Sequence, residues 1–511
     1  MAKTASKKAF RHGSVTVILT VLVVASILLL NLSVTTLAMR YGWFINMNPT
    51  LLYPVTDPCY EYLDTYVLRD DKIKENEQLR IIFCDEKEEI EADGTMAFVH
   101  NTALELAEHY DRVSVQYLNI WENPSIARGY GVKASTSVVV ALGTEDADGE
   151  FKAVDSRVCT LRDFFLFPAN DTENPVAYIG EKRFAVAMKA VVTPDAPIAY
   201  FTLNHGESVS DYSLMYAVTD AGYTISYLDS LSFDIPEDCG LLVSYNPTRD
   251  FTVNDGVSGT SELDKLDAYL NKGGKFMFFA SADTFAAGGF PHIEGYLEKW
   301  GATFAHETGD SGVEECFSVR DMSHGLTVDG YTLVGQLPTD GKGGEIMKDL
   351  GGTVRVANAT VIRAAEAFTP ANGSFVSGSR TLTPLLRSHE GAEAWAGGRA
   401  VDRTKEGYNL VTLTEDASTG GFVLVSSSTE LASEDALQSG AYANSAFLLT
   451  AMEAMGKTEI PISLRAQPFS DNTIHVMTTA TARNVTILLA ALPVVLATAT
   501  GLIVLIRRKF A

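Results

Sequence analysis

The sequence predicts an α/β protein attached to a membrane by two helices, and three observations support this prediction. Uncharged apolar segments occupy residues 13–39 and 485–506. Between them, short apolar segments typical of strands alternate with segments of helical periodicity. The formal net charge is −24, and every acidic residue lies between the two apolar segments. We therefore expect two membrane spans that enclose a large, acidic α/β region.

Each apolar segment is long enough to cross a hydrocarbon core of about 30 Å, because a helix rises about 1.5 Å per residue. Basic residues precede the first segment and follow the second: Lys3, Lys7, Lys8 and Arg11, then Arg507, Arg508 and Lys509. Such flanks remain in the cytoplasm. The tails 1–12 and 507–511 are therefore expected inside the cell, and residues 40–484 on the outer side of the plasma membrane.

The first segment also admits a second interpretation, a cleavable signal peptide, because Thr36, Leu37 and Ala38 resemble a cleavage site. The apolar run is much longer than the ~7–15 residues of a signal-peptide core, which favours an uncleaved anchor. Asn31 is the one strongly polar residue in this span. Two roles stay open for it: a hydrogen bond to a partner helix, or a position at the outer interface.

The charge of the region between the spans limits its partners. The two tails contribute seven of the basic residues and the spans hold no acidic residue, so the net −24 leaves about −31 on residues 12–484. Such a surface excludes nucleic acid and anionic lipid as electrostatic partners. It suits cationic ligands or divalent ions, although a solvated acidic surface is the more common explanation.

The cysteines predict neither a zinc site nor a disulfide framework, because they are odd in number, far apart and outside any CxxC spacing. We expect them to be small buried hydrophobic residues. They are Cys59, Cys84, Cys159, Cys239 and Cys316.

Residues 40–175 are predicted to form a membrane-proximal, thioredoxin-like α/β module. In the helix predicted over 95–110, Phe98, Leu104, Leu106 and Ala107 fall near one face. The absence of a redox CxxC motif means that this fold carries no redox chemistry. The predicted helices are 60–68, 95–110 and 126–132, and the predicted strands are 79–84, 113–118 and 137–142.

Residues 176–456 are predicted to form a doubly wound parallel-sheet domain, similar to flavodoxin or a glutamine amidotransferase. Residues 309–407, rich in Gly, Thr and Ala, are expected to be a β-rich insertion that covers this domain, and residues 457–484 a linker to the second span. Ser261 is a predicted helix N-cap. The predicted strands are 198–203, 223–228, 241–245, 275–280, 408–413 and 421–426, and the predicted helices are 211–221, 261–271, 293–300 and 444–455.

Four polar residues follow predicted strands of this sheet: His205, Glu207, Asn246 and Asp283. Ligands of doubly wound sheets bind beyond the carboxyl ends of the strands, so these residues form a candidate ligand or partner site. An imidazole and a carboxylate on one exposed turn could share a proton or bind a metal. Two ligands do not define a metal site, and Gly206 in a polar turn explains the pattern structurally. We predict no catalytic residue, metal or cofactor.

Motifs of nucleotide hydrolysis and common hydrolases are absent from the sequence. Gly273, Gly274 and Lys275 are followed by Phe276, which removes the magnesium-binding hydroxyl of a P-loop. No G-x-S-x-G elbow occurs, and His389-Glu390 lacks the second histidine of a zinc protease motif. The chain is therefore not an ATPase, and we predict that it is not an enzyme.

Four segments of the sequence resemble one known family. They are Asn48–Asp57; Tyr130–Val132 with Ser137–Val140; Ile179–Glu181 with Tyr200–Glu207; and Tyr269–Gly274 with Trp300–Gly301. In this order they resemble the GldG-like family, the auxiliary membrane components of ABC transporters of the gliding-motility type. Lys182 stands where the family has glutamine, and Asn204 where it has glycine.

This resemblance implies a bacterial auxiliary subunit that acts with a separate ABC ATPase and a multi-span permease. The family has no assigned catalytic residues, and its outer domain is expected to scaffold partners or to sense a ligand. Two helices are too few to form a translocation path, so we expect them to dock on other subunits, with Asn31 at the contact. One alternative is a stand-alone surface sensor or binding protein. Another is an ectoenzyme that uses His205 and Glu207.

Overall fold

The structure of the protein is a computed structural model. The chain divides into two units, residues 1–54 and residues 55–511. All the helices and strands given below belong to the second unit. The structure describes residues 53–146, 149–167, 174–207, 212–253, 261–285, 289–308, 314–439, 441–464 and 466–469.

Within these ranges no helix combines the length and the apolar character needed to cross a membrane. The two predicted spans, residues 13–39 and 485–506, lie outside the described residues, and so does Asn31.

A four-stranded mixed sheet forms the first part of the described chain. Its strand order is β2-β1-β3-β4, in which β1 is parallel to β2 and antiparallel to β3, and β3 is antiparallel to β4. The elements of this part are α1 (Asp57–Tyr66), β1 (Glu77–Phe83), α2 (Lys87–Ala92), α3 (Met96–His109), β2 (Val113–Tyr117), α4 (Pro124–Tyr130), β3 (Val138–Glu145), β4 (Phe151–Cys159), a 3₁₀ helix (Leu161–Phe164), β5 (Phe165–Leu166), β6 (Ala177–Tyr178) and α5 (Gly180–Val192).

Helix α5 packs on β3 and β4 of this first sheet. The predicted boundary of the second module at residue 176 assigns this helix to that module instead. Its buried side chains include Phe184, Ala185 and Met188. Since this face lies against the first sheet, the helix completes the first sheet rather than the second.

The apolar face predicted for helix α3 is wrong at Leu104, which is 41% exposed. The side chains that face the sheet follow from Met96 at three- and four-residue intervals, through Val99 and Ala103 to Leu106. This register places Leu104 on the solvent side of the helix.

The second part of the chain begins with alternating strands and helices. They are β7 (Ile198–Leu203), α6 (Tyr212–Asp220), β8 (Thr224–Asp229), β9 (Cys239–Tyr245), α7 (Glu262–Leu270), β10 (Lys275–Phe279), α8 (Pro291–Lys299) and β11 (Ala302–Phe304). Strand β7 begins and ends where the sequence predicts, at residues 198 and 203. Ser261 is the N-cap of α7, as predicted, because its side chain accepts a hydrogen bond from the amide of Asp264 at 3.0 Å.

The region predicted as a β-rich insertion contains ten short strands and one helix among its described residues. They are β13 (Glu314–Cys316), β14 (Ser318–Arg320), β15 (Thr332–Gly335), α9 (Gly341–Met347), β16 (Val354–Ala357), β17 (Ile362–Ala364), β18 (Thr369–Ala371), β19 (Ser374–Ser377), β20 (Arg380–Arg387), β21 (Glu393–Ala396) and β22 (Arg399–Arg403), preceded by β12 (His306–Thr308). Part of this region does more than cover the domain, because β17 to β20 belong to its main sheet.

The last elements are β23 (Asn409–Asp416), β24 (Gly421–Ser426), a 3₁₀ helix (Glu430–Ala432), α10 (Glu434–Leu437), α11 (Asn444–Ala454) and β25 (Gln467–Pro468). The main sheet has the order β18-β19-β20-β23-β24-β10-β9-β7-β8. The five strands from β24 to β8 are parallel to one another. Beyond β24 the sheet continues with four strands, each antiparallel to its neighbour: β23, β20, β19 and β18. The prediction of an α/β fold with a parallel sheet is confirmed.

Side chains of the central strands point alternately into two apolar cores, one on each face of the main sheet. Because both faces of the sheet are apolar, helices cover both of them. In β10, Met277 and Phe279 join the core that contains α6 and α11, whereas Phe276 and Phe278 join the core that contains α7 and α8. All four side chains are fully buried. A continuous apolar run of this kind is typical of a parallel strand with helices on both sides.

The two ends of the described chain meet at the carboxylate of Glu181, in the first turn of α5. One oxygen, Oε2, accepts hydrogen bonds from the amide of Thr56 at 2.9 Å and from its hydroxyl at 3.0 Å. The other oxygen, Oε1, accepts a hydrogen bond from Nε2 of Gln467 at 3.3 Å. Glu181 itself is only 4% exposed. A single buried carboxylate therefore joins the residue before α1 to strand β25.

Further contacts hold the last described segment in place. Strand β25 pairs with β6, which pairs with β5. The ring of Phe469 packs against the rings of Phe98 and Phe165, and Lys189 of α5 forms an ion pair with Glu459. The beginning of the segment predicted as a linker, up to Phe469, is thus packed against the first part of the chain.

Four of the five cysteines, all but Cys316, are buried, as expected for small hydrophobic residues. Burial raises the pKa of the thiols of Cys84 and Cys159 to about 12. The thiols therefore stay protonated near neutral pH and act as small apolar groups.

Candidate functional site

The candidate site begins at the turn that follows β7. Asn204 and Gly206 have positive φ angles of 78° and 75°, and they turn the chain so that His205 points inward. A Cβ atom on Gly206 would lie 2.1 Å from Oγ1 of Thr248, so glycine is required there for space as well as for conformation. The amides of Thr248 and Arg249 donate hydrogen bonds to the carbonyl oxygen of His205 at 2.7 and 2.9 Å.

The Glu207 carboxylate folds back on the imidazole that precedes it. Its Oε1 lies 2.7 Å from Nδ1 of His205, and its Oε2 accepts a hydrogen bond from the amide of His205 at 2.8 Å. The hydroxyl of Thr202, near the end of β7, donates a hydrogen bond to Oε1 at 2.6 Å. The side chains of His205 and Glu207 are 2% and 3% exposed. The prediction that both lie on an exposed turn is therefore wrong.

A second carboxylate, that of Glu262, binds the opposite side of the imidazole. Its two oxygens lie 3.0 and 3.1 Å from Nε2 of His205. The hydroxyl of Ser230 donates to Oε1 at 2.5 Å, and the amide and hydroxyl of Thr252 donate to Oε2 at 2.9 and 3.0 Å. Glu262 is the first residue of α7. Its negative charge there is favoured by the helix dipole.

These contacts connect four segments of the second part of the chain. His205 follows β7, Ser230 follows β8, Thr252 follows β9, and Glu262 begins α7. The ring of Phe251 stacks on the imidazole with 4.1 Å between centroids and 13° between planes. The network, which we call the Glu-His-Glu cluster (Glu207, His205 and Glu262), thus ties the carboxyl-terminal edge of the parallel sheet together.

The charges of the cluster stabilise one another. Burial alone would lower the pKa of His205, but its hydrogen bonds to Glu207 and Glu262 raise that pKa to about 9. Burial would raise the pKa of each carboxyl, but hydrogen bonds from His205, and from Thr202 or Ser230, hold both pKa values below the ordinary range. At neutral pH the cluster is an imidazolium between two carboxylates.

This geometry restricts the chemistry that the cluster can perform. The carboxylates occupy the two different ring nitrogens of His205, so neither nitrogen is open to take a proton from a substrate. The two carboxylates also lie on opposite sides of the ring and do not converge with it on one point. In the described part of the chain no group of three or more His, Cys, Asp or Glu side chains is arranged to hold a metal ion.

The structure places the other two predicted site residues in neighbouring loops. Asn246 follows β9 with φ 52°, and its Oδ1 accepts a hydrogen bond from the hydroxyl of Thr284 at 2.8 Å. Asp283, the residue before Thr284, is exposed. Neither Asn246 nor Asp283 is bonded to the Glu-His-Glu cluster. His205 and Glu207 are brought together, whereas Asn246 contacts Thr284 in the loop after β10 and Asp283 is exposed beside it.

Sequence reasoning missed Glu262, Ser230 and Thr252. Glu262 follows the predicted N-cap Ser261, and a carboxylate in the first turn of a helix is ordinarily explained by the helix dipole alone. The topology could have brought these residues to notice, because residues that follow adjacent parallel strands meet at one edge of the sheet. The ion pair between Glu262 and His205 itself can be recognised only from the three-dimensional structure.

Comparison with known proteins gives no family. No protein-family model and no curated protein matches the chain. Among solved structures, the mmIFT52 N-terminal domain aligns with 51% of this chain and 97% of its own, at 13% identity and a TM-score of 0.35. PurLQS from Thermotoga maritima aligns with 51% of this chain and 99% of its own, at 13% identity and a TM-score of 0.25.

The exo-beta-1,4-mannosidase Op5Man5 from Opitutaceae bacterium strain TAV5 aligns with 73% of this chain and 49% of its own, at 11% identity and a TM-score of 0.26. At these TM-scores the similarities identify neither a shared fold nor a function.

Proposed function

We propose that the chain is a non-enzymatic auxiliary subunit of a bacterial ABC transporter of the GldG-like type. In this proposal, residues 13–39 and 485–506 anchor it in the plasma membrane with both termini in the cytoplasm. The α/β region between them lies outside, where it scaffolds other proteins or senses a ligand. The ATPase and the permease are separate chains, because this sequence has no nucleotide-binding motif.

The observation that carries the two-span part of the proposal is the meeting of both chain ends at Glu181. Thr56 follows the first apolar segment by 17 residues, and Gln467 precedes the second by 18 residues. Because both bind the same carboxylate, the chain enters and leaves the α/β region at one place. This arrangement fits a domain inserted between two neighbouring membrane helices better than a chain that threads from one end of a domain to the other.

The strand orders support the proposal that the chain contains a thioredoxin-like module followed by a flavodoxin-like domain. The order β2-β1-β3-β4, with β3 antiparallel to β1, is that of a thioredoxin-like sheet. The parallel order β8-β7-β9-β10-β24 corresponds to the flavodoxin-like order 2-1-3-4-5. Both agree with the modules predicted from the order of strands and helices in the sequence.

The geometry of the Glu-His-Glu cluster weighs against the ectoenzyme alternative. A general base needs a ring nitrogen within hydrogen-bond reach of a substrate proton, and both nitrogens of His205 are engaged by buried carboxylates. A structural role fits the cluster better, because its hydrogen bonds to Ser230 and Thr252 connect four segments at one sheet edge.

Co-purification tests the transporter part of the proposal. The full chain, tagged and extracted from its native membranes in a mild detergent, is expected to bring down an ABC ATPase and a multi-span permease. Asn31→Leu is expected to lower their recovery, because it removes the polar contact proposed for the first span. Ser33→Ala, two residues away in the same span, is the matched control. Recovery of the chain alone would favour the stand-alone sensor.

Cysteine labelling tests the topology independently of any partner. A membrane-impermeant maleimide is expected to label Glu298→Cys in intact cells, because Glu298 is exposed on α8. It should label Ala5→Cys only after lysis. The unsubstituted chain controls for Cys316, the one native cysteine that is not fully buried. Labelling of Ala5→Cys in intact cells would contradict a cytoplasmic amino terminus.

A further inference from the structure

A second site lies away from the Glu-His-Glu cluster, in a cleft between the two parts of the chain. The cleft has a volume of about 340 Å³. Helix α5 of the first part lines one side with Lys182 and Arg183, and helix α6 of the second part lines another with Tyr216 and Asp220. Pockets that bind small molecules have volumes of about 300–1,000 Å³, so the space suits one small organic molecule.

The buried wall of this cleft carries two cations and one anion. Nζ of Lys182 lies 2.8 Å from Oδ2 of Asp220, and Nη1 of Arg183 lies 3.0 Å from Oδ1 of the same carboxylate. The side chains of Lys182, Arg183 and Asp220 are 10%, 13% and 8% exposed. Two cations thus share a single carboxylate, and one positive charge in the wall has no buried counter-ion.

The other charged residues of the lining do not remove this excess. Arg162 and Asp163 contribute one charge of each sign. The carboxylate of Asp163 attracts Arg183, but its hydrogen bonds come from the amide and hydroxyl of Thr160. The described residues of the lining therefore have a net charge of about +1, in a chain whose formal net charge is −24. A local excess of positive charge in so acidic a protein selects anions.

The guanidinium of Arg183 is held in place and still has donors to offer. Its Nε donates to the carbonyl oxygen of Asp163 at 3.0 Å, and its Nη1 donates to Asp220. Within the described part of the chain, no hydrogen bond engages its Nη2. A fixed guanidinium with free N–H groups is a strong donor to a carboxylate or a phosphate.

The rest of the lining is largely apolar. It comprises aromatic and aliphatic side chains from both parts of the chain: Phe165, Phe167, Tyr442, Leu437, Leu449, Ile462 and Leu464. Such a surface excludes a fully hydrated inorganic ion and favours a molecule with an apolar body.

We propose that this cleft binds a small organic anion, with a carboxylate or phosphate group on Lys182 and Arg183 and an aromatic or branched aliphatic body against the apolar wall. Because α5 packs on the first sheet and α6 on the second, the bound molecule contacts both parts of the chain and holds them together. The proposal does not depend on the transporter assignment.

Binding to the purified full chain in mild detergent tests this inference. Phenylacetate and phenyl phosphate represent the two anionic groups, and phenylacetamide and phenethylamine are the neutral and cationic controls. At least one of the anions is expected to raise Tm and to give a saturable heat of binding by calorimetry, whereas neither control should. Comparison of the two anions distinguishes a carboxylate from a phosphate site.

Lys182→Gln is expected to weaken binding of the anion at least tenfold, because it removes the excess positive charge while Arg183 keeps Asp220 paired. The matched control is Lys189→Gln, on the same helix, since Lys189 pairs with Glu459 and does not line the cleft. This control should keep the wild-type affinity. Failure of both anions to bind the wild-type chain, equal binding of phenylacetamide, or an unchanged affinity in Lys182→Gln would each overturn the proposal.

Discussion

His205 and Glu262 lie 57 residues apart in the sequence, and the carboxylate of Glu262 binds Nε2 of His205 in the interior of the second part. This contact connects the turn after β7 to the first residue of α7. Because Glu207 binds the other ring nitrogen, the imidazole cannot rotate without breaking a buried hydrogen bond. The cluster is therefore a structural cross-link at the carboxyl-terminal edge of the sheet.

Replacement of Glu262 by glutamine is expected to lower the free energy of unfolding by about 1.5–3 kcal/mol, because a charge-assisted hydrogen bond to His205 is lost in a buried site. Urea unfolding of the full chain in detergent, followed by fluorescence, measures the change. Glu298→Gln is the matched control: this glutamate is exposed on α8, and the expected change is within about 0.5 kcal/mol. Equal effects of the two substitutions would rule out a cross-linking role for the cluster.

Stability is expected to depend on pH through His205. Its pKa in the folded chain is about 9, above the ordinary 6.5. The stability gained from its protonation is therefore fully present below about pH 6.5 and is lost as the pH rises to about 9. At about 1.4 kcal/mol for each unit between the two values, the loss is on the order of 3 kcal/mol.

The carboxyls of the cluster act in the opposite direction. The pKa values of Glu207 and Glu262 lie below 4.5 in the folded chain, so their contribution is present above about pH 4.5 and is lost in acid. Thermal unfolding between pH 4 and 10 should thus show greatest stability between about pH 4.5 and 6.5. His205→Gln should remove the decline between pH 6.5 and 9, and persistence of that decline would assign it to other groups.

Gly206→Ala is expected to destabilise the chain more than Gly131→Ala, although both residues have positive φ angles, 75° and 76°. At Gly131 a Cβ atom meets nothing within 4 Å, so alanine costs only the conformational energy of about 1–2 kcal/mol. At Gly206 the Cβ atom would also clash with the hydroxyl of Thr248, which adds about 1–3 kcal/mol.

Thermal and urea unfolding of the two glycine variants measures this difference. The double variant Gly206→Ala with Thr248→Ala should recover the part of the loss that comes from the clash. No recovery in the double variant would show that the turn fails for another reason.

Glu181→Gln is expected to loosen both ends of the described chain at once, at a cost of about 1–3 kcal/mol. Hydrogen exchange should become faster at the start of α1 and in β25, which do not adjoin in sequence, while the main sheet keeps its protection. Glu61→Gln, an exposed change within α1, is the control and should leave both segments protected. Faster exchange in α1 alone would mean that Gln467 is held by β6 rather than by the carboxylate.

Local patterns in the sequence predicted the regular elements of the second part well. Strand β24 begins and ends where predicted, at Gly421 and Ser426, and Ser261 caps its helix. In these cases the apolar run or the capping residue acts on its immediate neighbours. The five-stranded parallel core follows from the alternation of such elements.

Contacts that depend on distant residues were not predictable in the same way. Strand β20 carries polar residues among its apolar ones, and β21 and β22 lie between it and its partner β23 in the sequence. The exposed position of Leu104 depends on where α3 meets the sheet. The link between His205 and Glu262 has no local signal, because each residue alone is explained by its own turn or helix.

The shared binding of Thr56 and Gln467 by Glu181 has a mechanical consequence. Force applied between the entry and exit of the chain would act first on the hydrogen bonds of one carboxylate and on the two-residue pairing of β25 with β6. The central strands lie away from these contacts and would stay unloaded. If the proposed two-span topology holds, separation of the two proposed spans would open the chain ends at Glu181 before the core is strained.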